Sequence, residues 1–115
     1  MKNLPSSLRE RKRYVAFEVL SAEKISRSEL INEILASASS LLGDVGANLC
    51  NLWVLNFDGK RGVLRCAHDR VSMVRAALAT INRVQGVRVG IHVLGTSGTV
   101  KKITETFMIQ VDHTP

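Results

Sequence analysis

The stretch Leu52-Trp53-Val54-Leu55-Asn56-Phe57-Asp58-Gly59-Lys60-Arg61-Gly62-Val63-Leu64-Arg65-Cys66-Ala67 decides the fold. Two apolar runs of strand length flank Asp58-Gly59, a dipeptide that accepts the positive φ angles of a two-residue hairpin turn. The pattern predicts one strand over 47–57 and another over 61–67. The register of the first stays open, because Leu52 and Val54 compete with Trp53, Leu55 and Phe57 for the buried face, and a slip of one residue exchanges the faces.

Each side of this hairpin carries a helix and then a strand. Upstream, Ser26 and Glu29 have the spacing of a capping box, in which each side chain satisfies an unpaired backbone donor. Ile31, Leu35, Ala38 and Leu42 follow at helical intervals, and Gly43 is placed to stop the helix. Before it, 14–20 alternates, with Val15, Phe17 and Val19 on one face and Tyr14, Ala16 and Glu18 on the other. Downstream, Asp69 is placed to cap a helix carrying Val71, Val74, Leu78, Ile81 and Val84, which Gly86 would end. Val87, Val89, Ile91 and Val93 then alternate with Arg88, Gly90 and His92, the signature of a half-buried strand. Val100, Ile103, Phe107 and Val111 return to helical spacing.

The predicted order is β-α-β-β-α-β followed by a C-terminal helix. This is the α/β (α+β) split βαβ sandwich of ferredoxin-like and RNA-recognition-like folds: a four-stranded antiparallel sheet with helices on one face, plus the extra helix. The 115 residues accommodate one such domain over 14–115, preceded by a basic arm over 1–13.

Sixteen Lys and Arg against ten Asp and Glu give a formal charge of +6, which favours an acidic partner such as nucleic acid. No apolar run reaches the roughly 18 residues needed to cross a bilayer, so no membrane association is expected. Cys50 and Cys66 have no metal-ligand or disulfide-framework spacing and read as buried inert thiols in a reducing, cytoplasmic setting. His68, His92 and His113 share no ligand spacing with each other or with cysteine. No catalytic constellation and no metal site is expected.

Two features point to phosphate. Arg9, Arg11, Lys12 and Arg13 run directly into the first strand, so folding anchors one end of the cluster. Gly95-Thr96-Ser97-Gly98-Thr99-Val100-Lys101-Lys102 reads as a loop entering a helix, with Ser97 or Thr99 as its cap. Lys101 and Lys102 stand in the first turn, where a cation opposes the helix dipole by about 0.3 to 1 kcal/mol. A bound anion reverses that sign. RNA-recognition domains stack bases on rings of the third strand. Here Arg61-Gly62-Val63-Leu64-Arg65-Cys66-Ala67 keeps the basic-Gly start without the rings, so contact to phosphates and shape is expected rather than stacking on that strand. The expected RNA-contacting set is Arg9, Arg11, Lys12, Arg13, Arg65, Arg88, Thr96, Ser97, Gly98, Lys101 and Lys102. Asn48, Asn51 and Asn56 could serve an acylphosphatase-like enzyme on the same topology, but no fitting glycine-rich loop follows the first strand. A small-molecule-sensing or interaction domain of ferredoxin type is the main alternative.

Three blocks resemble the ribonuclease P protein component 2 family in its archaeal form: Leu4-Pro5-Ser6-Ser7-Leu8-Arg9-Glu10-Arg11-Lys12-Arg13-Tyr14-Val15-Ala16-Phe17-Glu18-Val19, then Gly62-Val63-Leu64-Arg65-Cys66 with Val74-Arg75-Ala76-Ala77-Leu78, then Leu94-Gly95-Thr96-Ser97-Gly98-Thr99-Val100-Lys101-Lys102. The resemblance covers 4–102. It implies an RNA-binding subunit of ribonuclease P, which removes the 5′ leader from precursor tRNA. It also implies pairing with ribonuclease P protein component 3, further ribonuclease P proteins nearby, and hydrolysis carried by the RNA with magnesium.

Overall fold

The computed structural model describes residues 11–107 together with Ile109. Arg9 and Val111, both singled out above, lie outside the described residues. Along the chain come β1 (Lys12–Ser21), α1 (Arg27–Cys50), β2 (Trp53–Phe57), β3 (Arg61–Ala67), a 3-10 turn (His68–Arg70), α2 (Val71–Ala79), β4 (Arg83–Val84), β5 (Val87–Ser97) and α3 (Val100–Phe107). The sheet is antiparallel in the order β2-β3-β1-β5-β4. The split βαβ reading therefore holds, with five strands in place of four.

The extra strand corrects the reading of the second helix. Ile81 and Val84 are buried, and their spacing imitates a helical stripe. The helix nevertheless stops at Ala79, where the Thr80 hydroxyl turns back to donate to the Ala77 carbonyl at 2.7 Å. Val84 belongs to β4, which turns into β5 through Gln85 (φ 51°) and Gly86 (φ 79°). Two consecutive positive φ angles are the geometry of a tight hairpin. Gly86 thus ends a strand, not a helix. Nor does Asp69 cap α2. It sits in the 3-10 turn without a side-chain capping bond and lies 3.8 Å from the Arg70 guanidinium.

The Ser26 half of the capping box forms, its hydroxyl accepting from the Glu29 amide at 3.2 Å, while the Glu29 carboxylate accepts from that hydroxyl at 2.7 Å and not from a backbone donor. Gly43 kinks α1 rather than ending it. Its backbone (φ 76°, ψ 167°) leaves the helical region for one residue, and helix resumes through Cys50. The chain turns instead at Asn51, in the left-handed region at φ 50°. The following strand accordingly begins at Trp53 and not at 47.

Two bulges settle the side-chain alternation. Between Val54 and Asn56 the β2–β3 register shifts, so Leu52, Val54 and Phe57 all join the main core while Leu55 turns to the other face. A bulge exchanges the faces downstream of it, which is why simple alternation could not assign both ends of β2. A second shift falls between Ala16 and Phe17 in the β1–β5 pairing: Val89, Ile91 and Val93 alternate onto the main core with Leu94 on the other face, and beyond Leu94 the faces exchange, Gly95 standing opposite Ala16 and Thr96 opposite Val15.

Both faces of the sheet are covered. Val15, Phe17, Leu64 and Cys66 pack against Leu30 and Ile34 of α1 and Val74 and Leu78 of α2. The opposite face, Ala16 and Val63, lies under Ile103 of α3 and Ile109, with Tyr14, Leu55, Leu94 and Phe107 around them. Burying Ile103 alone contributes about 1.5 to 3 kcal/mol. In RNA-recognition domains this is the face on which bases stack. Here α3 occupies its centre.

Candidate nucleic-acid interface

Arg11, Lys12 and Arg13, the described residues of the arm, and the Gly95–Lys102 segment, far apart in the chain, meet at one end of the sheet. The cause is antiparallel pairing: β1 begins where β5 ends, with Tyr14 opposite Ser97. Lys12 and Arg13 are strand residues, paired with Ala67 and Cys66 of β3, and the Arg11 carbonyl accepts from the His68 amide at 3.0 Å. The basic cluster is therefore built into the sheet from Lys12 onward.

The glycine-rich segment is less of a loop than its composition predicts. Gly95, Thr96 and Ser97 complete β5, leaving Gly98 and Thr99 as the connection. Thr99 is the cap. Its hydroxyl accepts from the Lys102 amide at 3.2 Å, while the Ser97 hydroxyl accepts from the Thr99 amide at 3.3 Å. Gly98 faces Arg13 closely: a Cβ there would stand 3.1 Å from a guanidinium nitrogen. Lys101 and Lys102 are exposed in the first turn of α3.

Arg65 reaches the same end on β3. It lies opposite Tyr14 on one side and Trp53 on the other, and its guanidinium carbon is 5.9 Å from the Trp53 ring centroid. Its Nε is buried and has no hydrogen-bond partner among the described residues. Residues Arg11, Lys12, Arg13, Arg65, Ser97, Gly98, Lys101 and Lys102 thus share one end of the fold, with Thr96 exposed one position back. Asp69 stands there too, engaged by Arg70.

Arg88 does not join them. It pairs with Arg83 in the β4–β5 hairpin, nine residues before Ser97 along β5, which at strand rise is about 30 Å away. Sequence periodicity placed Arg88 and His92 correctly on the outer face, but nothing local revealed how far down the strand they sit. A surface depression of about 560 Å³ between the end of β1 and the Asp58–Lys60 turn also lies at that far end. The residue sequence reasoning missed is Trp53. Its position opposite Arg65, on an edge strand, follows only from the β2–β3 register.

Burial pushes the Cys66 thiol up to about 11 and raises Cys50 as well, keeping both protonated at neutral pH. Cys50 closes α1 rather than lying in a strand. Among the described residues no group of three or more His, Cys, Asp or Glu is placed to hold a metal ion, and no helix is long and apolar enough to cross a membrane.

Comparison with known proteins adds a family. The profile of the Rpp14/Pop5 family matches residues 13–108. Ribonuclease P protein component 2 of Methanosarcina barkeri is 51% identical over 108 residues, covering 94% of this chain and 80% of the relative. The protein of that name from Methanosarcina acetivorans is 52% identical over 108 residues, with coverages of 94% and 82%. The one from Pyrococcus horikoshii is 34% identical over 110 residues, with coverages of 94% and 92%. A chain in the cryo-EM structure of yeast ribonuclease MRP has the same fold, with a TM-score of 0.67 at 14% identity, covering 86% of this chain and 92% of that one.

Proposed function

This chain belongs to the Rpp14/Pop5 family, and from that premise we propose that it is an RNA-binding protein subunit of ribonuclease P, assisting the catalytic RNA in removing the 5′ leader from precursor tRNA. The observation that carries the reading is the convergence of Arg13 with Gly98 and the first turn of α3. Strand cations, loop amides, helix dipole and two lysines all favour an anion at one place.

A polyanion suits this end better than a small anion, because the cations are spread across β1, β3 and α3 rather than focused into one pocket. Neutralising phosphates there lowers the repulsion between RNA segments and releases counterions, an entropic gain that diminishes as salt rises. The protein's part is positional. Magnesium-dependent hydrolysis belongs to the RNA, and the polypeptide supplies no reacting group. Pairing with ribonuclease P protein component 3, the neighbourhood of other ribonuclease P proteins and a cytoplasmic setting belong to the same proposal.

Reconstitution tests it. Particle RNA with component 3 is assayed for precursor-tRNA cleavage with and without this chain. Cleavage should rise when the chain is added, and the chain alone should cleave nothing. Unchanged turnover, or hydrolysis by the isolated polypeptide, overturns the proposal.

A further inference from the structure

Trp53 is the chain's single tryptophan, and it is 57% exposed. An exposed indole forgoes the large gain of burying an aromatic side chain. Its setting is nonetheless ordered. The indole N–H donates to Asn51 Oδ1 at 3.0 Å, and the Arg65 guanidinium lies 5.9 Å from the ring centroid. The ring is held at its edge and over its face before any ligand arrives.

The registers place Trp53, Arg65, Tyr14 and Ser97 side by side across β2, β3, β1 and β5. Three strand spacings make this row about 14 Å long, and it ends at the cationic end described above. Because paired residues share a face, the row lies on the side of the sheet that α3 covers elsewhere. β2 is the sheet's edge strand, which leaves Trp53 open at the rim.

We propose that Trp53 and Arg65 form a stacking subsite for one unpaired nucleobase of a single-stranded RNA segment, with the base on the exposed indole face and its phosphate on the Arg65 guanidinium. The inference rests on the RNA-binding reading and adds to it a contact that senses bases. Every base has a π-face, so an indole accepts unpaired bases with little regard to sequence. A guanidinium beside it supplies planar donors for phosphate. Leu35 and Leu52 border the ring on the α1 side, where an apolar protein segment could also lie. A segment on that side, however, would leave Arg65, on the opposite face of the sheet, with its buried Nε still lacking a hydrogen-bond acceptor, a costly state. A nucleotide brings the acceptor with it.

The single tryptophan makes the test direct. The full chain is titrated at low salt with single-stranded oligouridylate and oligoadenylate, and separately with heparin, a polyanion without bases. Both oligonucleotides should quench the tryptophan emission, while heparin should compete for binding without quenching. Trp53→Ala should weaken oligonucleotide affinity by roughly 5- to 150-fold with an unchanged salt slope, and Trp53→Phe should keep most of it. Arg65→Gln should reduce the slope by about 0.7, one phosphate's share. Melting temperatures of the variants should match the parent. Oligonucleotide binding without any change in emission overturns the stacking subsite and leaves the phosphate reading standing. An absence of oligonucleotide binding overturns both. An emission change produced only by a protein partner assigns Trp53 to a protein interface and overturns the proposal.

Discussion

Phe107 packs its ring against the bare Cα of Gly95: a Cβ at that position would stand 2.5 Å from Phe107 Cζ and 2.9 Å from Cε2. This contact, with Ile103 over Ala16 and Val63, seats α3 on the sheet. At the same end of the helix, Arg61 donates through Nη1 to the Phe107 carbonyl at 3.3 Å and through Nε to Glu18 at 3.0 Å. The seat matters for function, because the orientation of α3 decides where Lys101 and Lys102 stand.

Gly95→Ala should therefore destabilise the protein by about 1 to 3 kcal/mol, the range for overpacking a filled site. In a Phe107→Leu background the same change should cost less, since the obstructing ring is gone. Urea denaturation of the four proteins measures this. Equal costs in both backgrounds would show that the ring is not what excludes a side chain at position 95.

Gly43 and Gly90 should respond to alanine with opposite signs. A Cβ at either position meets nothing within 4 Å, so sterics do not distinguish them. Gly43 holds φ 76° and ψ 167°, a conformation essentially confined to glycine, and alanine there should cost about 1 to 3 kcal/mol. Gly90 has no positive φ, and alanine should stabilise by about 0.4 to 1 kcal/mol through a less flexible unfolded chain. Thermal unfolding of the two variants distinguishes the signs.

Replacing Arg11, Lys12, Arg13, Lys101 and Lys102 together by alanine should separate binding from stability. For five to seven contacted phosphates the parent should bind cognate RNA with a log–log salt slope of about −4 to −5. The variant's slope should be flatter by about 3.5, five phosphates' share. Its melting temperature should hardly move. Removing the two lysines from the first turn of α3 even relieves an unfavourable dipole interaction of about 0.3 to 1 kcal/mol each. A parallel fall in melting temperature would identify these side chains as structural supports.

Alkaline pH should weaken the fold through Cys66. Its thiol rises from 9.0 to about 11 on folding, so the folded state holds its proton more tightly than the unfolded chain does. The resulting contribution is intact below pH 9 and is lost as pH climbs toward 11, when only the unfolded thiol has ionised. The loss is on the order of 2 to 3 kcal/mol. Urea denaturation from pH 8 to 11 should show this decline in the parent and a shallower one in Cys66→Ala.

Short-range chemistry determined much of this protein from the sequence alone. Alternation in β1 and in β5 as far as Val93, the Ser26 cap and the tight turn after Phe57 each act between residues a few positions apart, so their reading survives folding, although of the Asp58-Gly59 pair only Gly59 takes a positive φ. The same holds for the two cationic segments, whose charge is composition. Tertiary structure decided the rest. Ile81 and Val84 satisfy a helical spacing and a hairpin equally well, and only pairing with β5 selects the hairpin. The bulges at Val54/Asn56 and Ala16/Phe17 settle which residues face which core, because strand parity is a property of two chains in register. Arg13 meets Gly98, and Trp53 meets Arg65, for the same reason: antiparallel pairing joins positions that local sequence leaves unrelated.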